Sequence, residues 1–308
     1  MDVVFHQLII VALITVAGAV AAKLHIITPV IRSGLSRLVL NVAVPCAIIA
    51  SGHLNVAGAA WFRVGYVLLI SLVFHMFIFL AMRFGGRRLI SGKAEQKVAV
   101  LCVTFGNVMF VGFPIISGIY GSDGLFLAAI FTVVFNALFY TMGTGLVRRE
   151  GTAKLSWRQL IVTPFNVSIF IMFVLLLTQY KVPAPVQETL TMLGNLCTPL
   201  SLLVIGAMVS ESHILSLIKD YRLLVVSGLR LVVAPLLMLA AMYFLPLDVQ
   251  LRRTMVALAA MPGAAMTAMV AEQEECAPRF ATLSVVQSTI LFLLVFPLMI
   301  YLSHRLLV

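Results

Sequence analysis

Charged side chains are scarce in this sequence, making up 10% of its 308 residues, whereas hydrophobic residues make up 62%. A soluble domain of that length could not cover its own core with so little polar surface, so a water-soluble globular fold is excluded and a bilayer is expected. Acids are the scarcest charge, with 11 Asp and Glu against 21 Lys and Arg, and no pair of aspartates lies inside an apolar stretch. Cysteine is sparse too. Cys46, Cys102, Cys197 and Cys276 show no CxxC or CxxH spacing, so they read as small packing residues rather than metal ligands or disulfides. Catalytic signatures are missing: there is no HExxH, no GxSxG and no phosphate loop ending in Gly-Lys-Ser/Thr. No enzyme and no cofactor is therefore expected.

What the chain does have is apolar length. A helix needs about 20 mainly apolar residues to cross the hydrocarbon, and ten stretches qualify, near 5–22, 38–56, 62–82, 97–120, 124–146, 162–180, 190–211, 222–245, 252–271 and 281–303. The first lacks a basic leader and a small-residue cleavage site, so it reads as a retained span. The net charge of +10 follows topology, which argues against nucleic acid as its partner. Fifteen basic residues fall in the connectors after odd-numbered stretches, among them Arg83, Arg87, Arg88, Lys93 and Lys97, and five fall on the other side. The positive-inside rule places the fifteen in the cytoplasm and both termini outside a plasma-membrane protein. Arg230 falls within a stretch.

The sequence also repeats itself. Asn41-Val-Ala-Val-Pro45 and Asn195-Leu-Cys-Thr-Pro199 lie 154 residues apart, and each is followed seven residues after its proline by a glycine, Gly52 and Gly206. Residues 1–147 then form a first five-helix repeat, 148–161 a cytoplasmic connector, and 162–308 a second repeat. Five spans per half force the second repeat to enter from the opposite face, and inverted repeats place their shared site near the midplane.

Helix breakers inside stretches mark where that site can lie. In stretch four, Asn107, Gly112 and Pro114 weaken the helix, a proline costing about 3 kcal/mol in a helix interior. Broken backbone at membrane depth is tolerated where it lines a cavity, and a half-helix starting near Pro114 would aim its amide end at an anion. Adding 154 to Pro114 gives residue 268, beside the breaker-rich run Met261-Pro262-Gly263-Ala264-Ala265-Met266-Thr267 of stretch nine.

These residues resemble a known family, the auxin efflux carriers, which includes plant auxin transporters and bacterial carriers assigned to malate or malonate. The resemblance rests on Gly106-Asn107, Gly112-Phe113-Pro114 and Tyr120-Gly121, then on Arg230-Leu-Val-Val-Ala-Pro235 and Met261-Pro262 followed by Ala271-Glu272. It covers the chain except for the long central loop of the plant members. It implies an all-α integral membrane fold of ten helices, a five-plus-five inverted repeat whose helices four and nine are broken and cross. Asn107 matches the family's substrate-contacting amide and Pro114 its crossover proline. The chain departs from the plant pattern at Thr267, where those members carry a second proline.

Other polar residues divide between site and scaffold. Asn136 and Gln287 line the cavity or bond between helices. Asn41, Pro45, Asn195 and Pro199 read as scaffold hinges, each amide reaching backbone freed by its proline. Arg230 is costly in a span unless it pairs, snorkels or faces an anion, and Glu211 or Glu272 are candidate partners. His75, alone in stretch three, reads as a satisfied hydrogen-bonding residue.

The expected function is secondary transport of a small mono- or dicarboxylate by alternating access, spans four and nine moving against spans one, two, six and seven. A homodimer is one assembly this allows. Two alternatives stand beside it: a cation-coupled symporter or antiporter like bile-acid symporters or sodium/proton exchangers, and a non-transporting sensor on the same fold.

Overall fold

The structure is a computed structural model that describes residues 2–51, 59–86, 89–148, 164–211 and 220–307. Most of the connector expected at 148–161, and Gly52 of the repeat, lie outside the described residues. Among those described, the regular secondary structure is helical throughout. Six helices are long and apolar enough to cross a membrane: Pro29–Ser51, Phe62–Gly85, Val108–Val147, Ala184–Ala207, Tyr221–Phe244 and Pro278–Leu306. Ala12–Lys23 and Asn166–Leu175 are shorter apolar helices. Stretch nine is divided into two short helices, Val249–Ala259 and Ala265–Gln273.

Two differences from the sequence reading have local causes. The helix expected from residue 38 begins at Pro29, where Thr28 Oγ1 accepts the Ile31 amide at 3.4 Å and the proline occupies the first turn. Arg32, Ser33, Ser36 and Arg37 lower its hydropathy without lowering its helicity, because proline at N1 and a threonine cap are both helix-starting signals. The 40-residue run Val108–Val147 is two helices, since Gly121 adopts φ 65°, ψ −157°, a conformation open essentially to glycine. That turn falls between the fourth and fifth stretches.

Prolines inside the helices share a device. Pro45, Pro114 and Pro235 each stand two residues after a five-residue π-helical turn, Val39–Ala43, Val108–Gly112 and Leu229–Val233. A wider turn gives room for the ring that would otherwise strike the carbonyl four residues back, so the helix continues where an α-turn would break. Pro297 is held in the Pro278–Leu306 helix without such a turn. Pro199 is treated differently: the chain leaves the helix at Leu196, and the proline sits in the first turn of Cys197–Glu211. The duplicated Asn-x-x-x-Pro motifs thus have different local structures.

The chain folds into two compact units, each drawing on both halves of the sequence. The first unit comprises Met1–Tyr66, Met109–Ile130 and Lys154–Glu211. Within it, the Asp2–Lys23 and Cys197–Glu211 helices cross backbone to backbone at Gly18 and Gly206. A Cβ on Gly206 would overlap the Thr15 carbonyl, and one on Gly18 the Leu203 carbonyl. Gly194 permits a second close crossing, where a Cβ would stand 2.9 Å from Ala47 Cα. Gly206→Ala is therefore expected to force these helices apart and to destabilise the protein by about 1–3 kcal/mol. Thermal unfolding of the purified variant checks this, and an unchanged midpoint would show that the crossing has slack.

The second unit comprises Val67–Val108, Phe131–Ala153 and Ser212–Val308. Its centre is the Pro278–Leu306 helix, which packs against Lys93–Thr104, Tyr221–Gly228, Val249–Ala259 and Ala265–Gln273. An aromatic cluster supports it from the Ala59–Gly85 side. His75 lies with Phe105, Phe131 and Phe135, ring centroids 5.0–5.9 Å apart, and Phe105 meets Phe135 and Phe139 edge-on. His75 Nδ1 is 2.7 Å from the Ser71 carbonyl, the satisfied role expected of it.

Candidate functional site

The second unit contains both helix breaks. The Lys93–Thr104 helix ends when Phe105 turns to extended backbone, φ −106°, ψ 116°. Val249–Ala259 ends just before Met261-Pro262, where the proline offers no amide and biases its predecessor toward extended geometry. The two extended segments meet as an isolated antiparallel bridge between Gly106 and Gly263. Asn107 N–H donates to the Pro262 carbonyl at 2.7 Å, and Ala264 N–H donates to the Phe105 carbonyl at 3.0 Å. Ser288 Oγ accepts the Gly263 amide at 3.0 Å. Backbone freed by one break is thus partly satisfied by the other, as a low-dielectric setting demands.

Arg230 completes the arrangement. It is 1% exposed, and its guanidinium donates to Met261 O at 2.7 Å, Val103 O at 3.1 Å and Thr104 O at 3.2 Å. These carbonyls lie at or just beyond the C-terminal ends of the two interrupted helices, where unpaired acceptors and negative dipole ends converge. One cation answers both ends. Gly106 is required beside it, because a Cβ there would collide with the guanidinium and come within 3.3 Å of Met261 Cβ. The π-helical turn Leu229–Val233 carries Arg230 and lets the helix pass Pro235. Among the described residues Arg230 pairs with no carboxylate, and Glu272, a suggested partner, is exposed at the end of its helix.

Three polar side chains at the breaks have no hydrogen-bond partner among the described residues, the first being the fully buried hydroxyl of Thr104. The half-buried side chain of Asn107 makes no hydrogen bond to any described residue. Thr267 is fully buried, and its hydroxyl likewise has no partner among the described residues. It stands in the first turn of Ala265–Gln273, whose N-cap Ala264 supplies no side-chain bond. A half-helix N-terminus without a side-chain cap is the end that favours negative charge.

The other expected site residues are distributed unevenly. Pro262 and Gly263 belong to the bridge itself. Gln287, 3% exposed, accepts from Ser227 Oγ at 2.7 Å, an interhelical bond of the kind anticipated. Asn136 is buried in the same unit, in the Phe113–Leu138 helix. Gly112 and Pro114 lie in the first unit, where the Pro114 carbonyl accepts from Thr198 Oγ1 at 3.0 Å. The expected half-helix start near Pro114 is corrected by the structure: the break is at Phe105–Asn107, and helix resumes from Val108 because the π turn absorbs the proline. Asn41 Nδ2 donates to Arg37 O at 2.8 Å, a carbonyl four residues back, and Asn195 is exposed at its helix end.

A family model described as membrane transport protein matches residues 3–300. The chain belongs to the auxin efflux carrier family. It is also 26% identical over 270 residues to an uncharacterized transporter of Methanothermobacter thermautotrophicus, covering 86% of this chain and 87% of that protein. This auxin efflux carrier family member is accordingly a multi-pass membrane protein of a transporter family. Not legible in the sequence as joining the two breaks are Gly106 and the carbonyls of Val103, Thr104 and Met261, with Ser288 bracing the second break through the Gly263 amide. Gly106 beside Asn107 was the available signal, since a glycine next to a break often marks close approach.

Proposed function

We propose that this protein is a secondary carrier for a small organic anion, a mono- or dicarboxylate of auxin-like or malate/malonate-like size. The observation that carries the reading is the Gly106–Gly263 bridge, which sets the uncommitted Asn107 amide in a unit whose buried cation, Arg230, has no carboxylate partner among the described residues. A carboxylate brings the acceptors that an amide donor lacks and the charge that a buried cation favours. Ten crossings in two inverted sets of five, with crossings four and nine broken, account for the repeat and for the two interrupted helices. The division of the chain supports an elevator-type mechanism in part: spans one, two, six and seven fall in one unit and both breaks in the other, while span four from Met109 onward lies with the first unit. We take the basic connectors to face the cytoplasm of a plasma-membrane protein, with both termini outside.

Liposomes containing the purified protein test this directly. Imposed gradients of labelled mono- and dicarboxylates should produce saturable flux, and binding without flux under any gradient would favour the sensor alternative. The hydrogen bonds of Arg230 also bear on coupling. Unwound carbonyls at half-helix ends are the groups that hold coupling cations in other broken-helix carriers, and here three of them accept from Arg230. Flux should therefore be unchanged when sodium is replaced by a large organic cation. It should respond to voltage: about 2.3 kcal/mol per charge at 100 mV drives a monoanion to a ratio of about 50. Flux that requires sodium and ignores potential would move the reading to a cation-coupled carrier.

A further inference from the structure

We propose a separate anion site in the second unit, one that takes the phosphate group of an anionic phospholipid headgroup or of a soluble phosphate. A cavity of about 470 Å³ lies between the end of the Ala59–Gly85 helix, the start of Lys93–Thr104 and the Thr144–Val147 helix. Arg83, Lys93 and Lys97 line it over an apolar floor of Met82, Val100 and Leu146. Among the described residues no acidic side chain lines it. The nearest acid in sequence, Glu95, lies 3.9 Å from Arg222. The connector is anchored at this point, Gln96 Nε2 donating to Ile90 O at 2.7 Å, so the basic side chains extend from a fixed frame.

Three cations around one space repel one another unless an anion joins them. One guanidinium fork suffices for a carboxylate, whereas a phosphate offers oxygens for the fork and for two ammonium groups at once. The size falls within the range of small-ligand sites. On the same helix end and connector Leu80, Phe84 and Leu89 are exposed, Phe84 at 72%, which gives acyl chains an apolar surface. The positive-inside count places this connector, with five of the basic residues, at the cytoplasmic surface. Basic pockets between transmembrane helices on that side are suited to phosphate headgroups. This site shares no residue with the Gly106–Gly263 bridge, so it does not depend on the carrier reading.

The test uses the full-length protein in nanodiscs of phosphatidylcholine, with phosphatidylglycerol titrated in one arm and inorganic phosphate in the other, and binding read by native mass spectrometry and thermal shift. The triple variant Arg83→Gln, Lys93→Gln, Lys97→Gln should bind roughly 100-fold more weakly, at close to a fivefold factor for each basic residue lost near an anionic surface. A control with the same charge loss elsewhere, Lys23→Gln, Arg32→Gln, Arg37→Gln, should lose less than about threefold, as expected from screened long-range charge alone. Binding in the lipid arm only identifies a headgroup, and binding in the phosphate arm identifies a soluble anion; both support the site. No binding in either arm, or an equal loss in both triple variants, overturns it.

Discussion

Replacing Arg230 with methionine should both unfold this protein at lower temperature and abolish its transport. The substitution keeps length and apolar volume but removes the donors to Met261, Val103 and Thr104, which would be left as buried carbonyls without their partner. Each buried acceptor left unpaired costs about 1–3 kcal/mol, so the loss should reach at least about 3 kcal/mol, a large share of a typical folding free energy of about 5–15 kcal/mol. Two favourable terms hold the native guanidinium against its own desolvation: three hydrogen bonds, and the negative ends of the Lys93–Thr104 and Val249–Ala259 helices. Arg230→Lys separates charge from geometry. Lysine keeps the cation, but it has no planar fork to reach carbonyls on two segments, so an intermediate thermal midpoint and residual flux are expected. A methionine variant with the parent's midpoint and flux would show that the bridge stands without Arg230.

The same residue shows what could be read from sequence. Apolar stretches were legible because the bilayer imposes one requirement on every span, and among the described residues six helices are long and apolar enough to cross it. Helix breaks were legible as regions, since Asn107 and Pro262-Gly263 violate helix preference locally. Their registration was not. The 154-residue offset pointed from Pro114 to residue 268, whereas the bridge pairs Gly106 with Gly263, 157 apart. Proline reads as the breaking residue, but a π turn lets Pro45, Pro114 and Pro235 remain in helices, and this depends on backbone geometry that residue identity does not fix. Arg230 was recognisable as costly, but not as bonded to carbonyls 126 to 127 residues earlier and 31 later. Main-chain acceptors have no residue type, so only acids such as Glu211 and Glu272 are visible in the sequence as partners for Arg230.

Asn107→Ala tests the site with the least disturbance to the fold. The contribution of Asn107 to the bridge is its backbone amide, which donates to Pro262 O at 2.7 Å whatever the side chain, while its side-chain amide bonds to no described residue. Stability should therefore change by less than about 1 kcal/mol, as for substitutions that remove no buried bond or packed volume. Transport should change far more. A hydrogen bond to a charged ligand contributes about 1.5–3 kcal/mol, so the half-saturation concentration for the carboxylate should rise roughly 10- to 150-fold. Asn107→Asp should be worse than alanine, because it keeps the shape but sets a negative charge toward the substrate. Asn107→Gln keeps the donor but displaces it by one methylene and should fall between alanine and the parent. The ordering is diagnostic, since a structural role would penalise alanine and glutamine in the thermal midpoint as well as in flux. If Asn107→Ala retains the parent's affinity and rate, the amide is not a substrate contact, and the anion must be held by the half-helix amides and Thr267 instead.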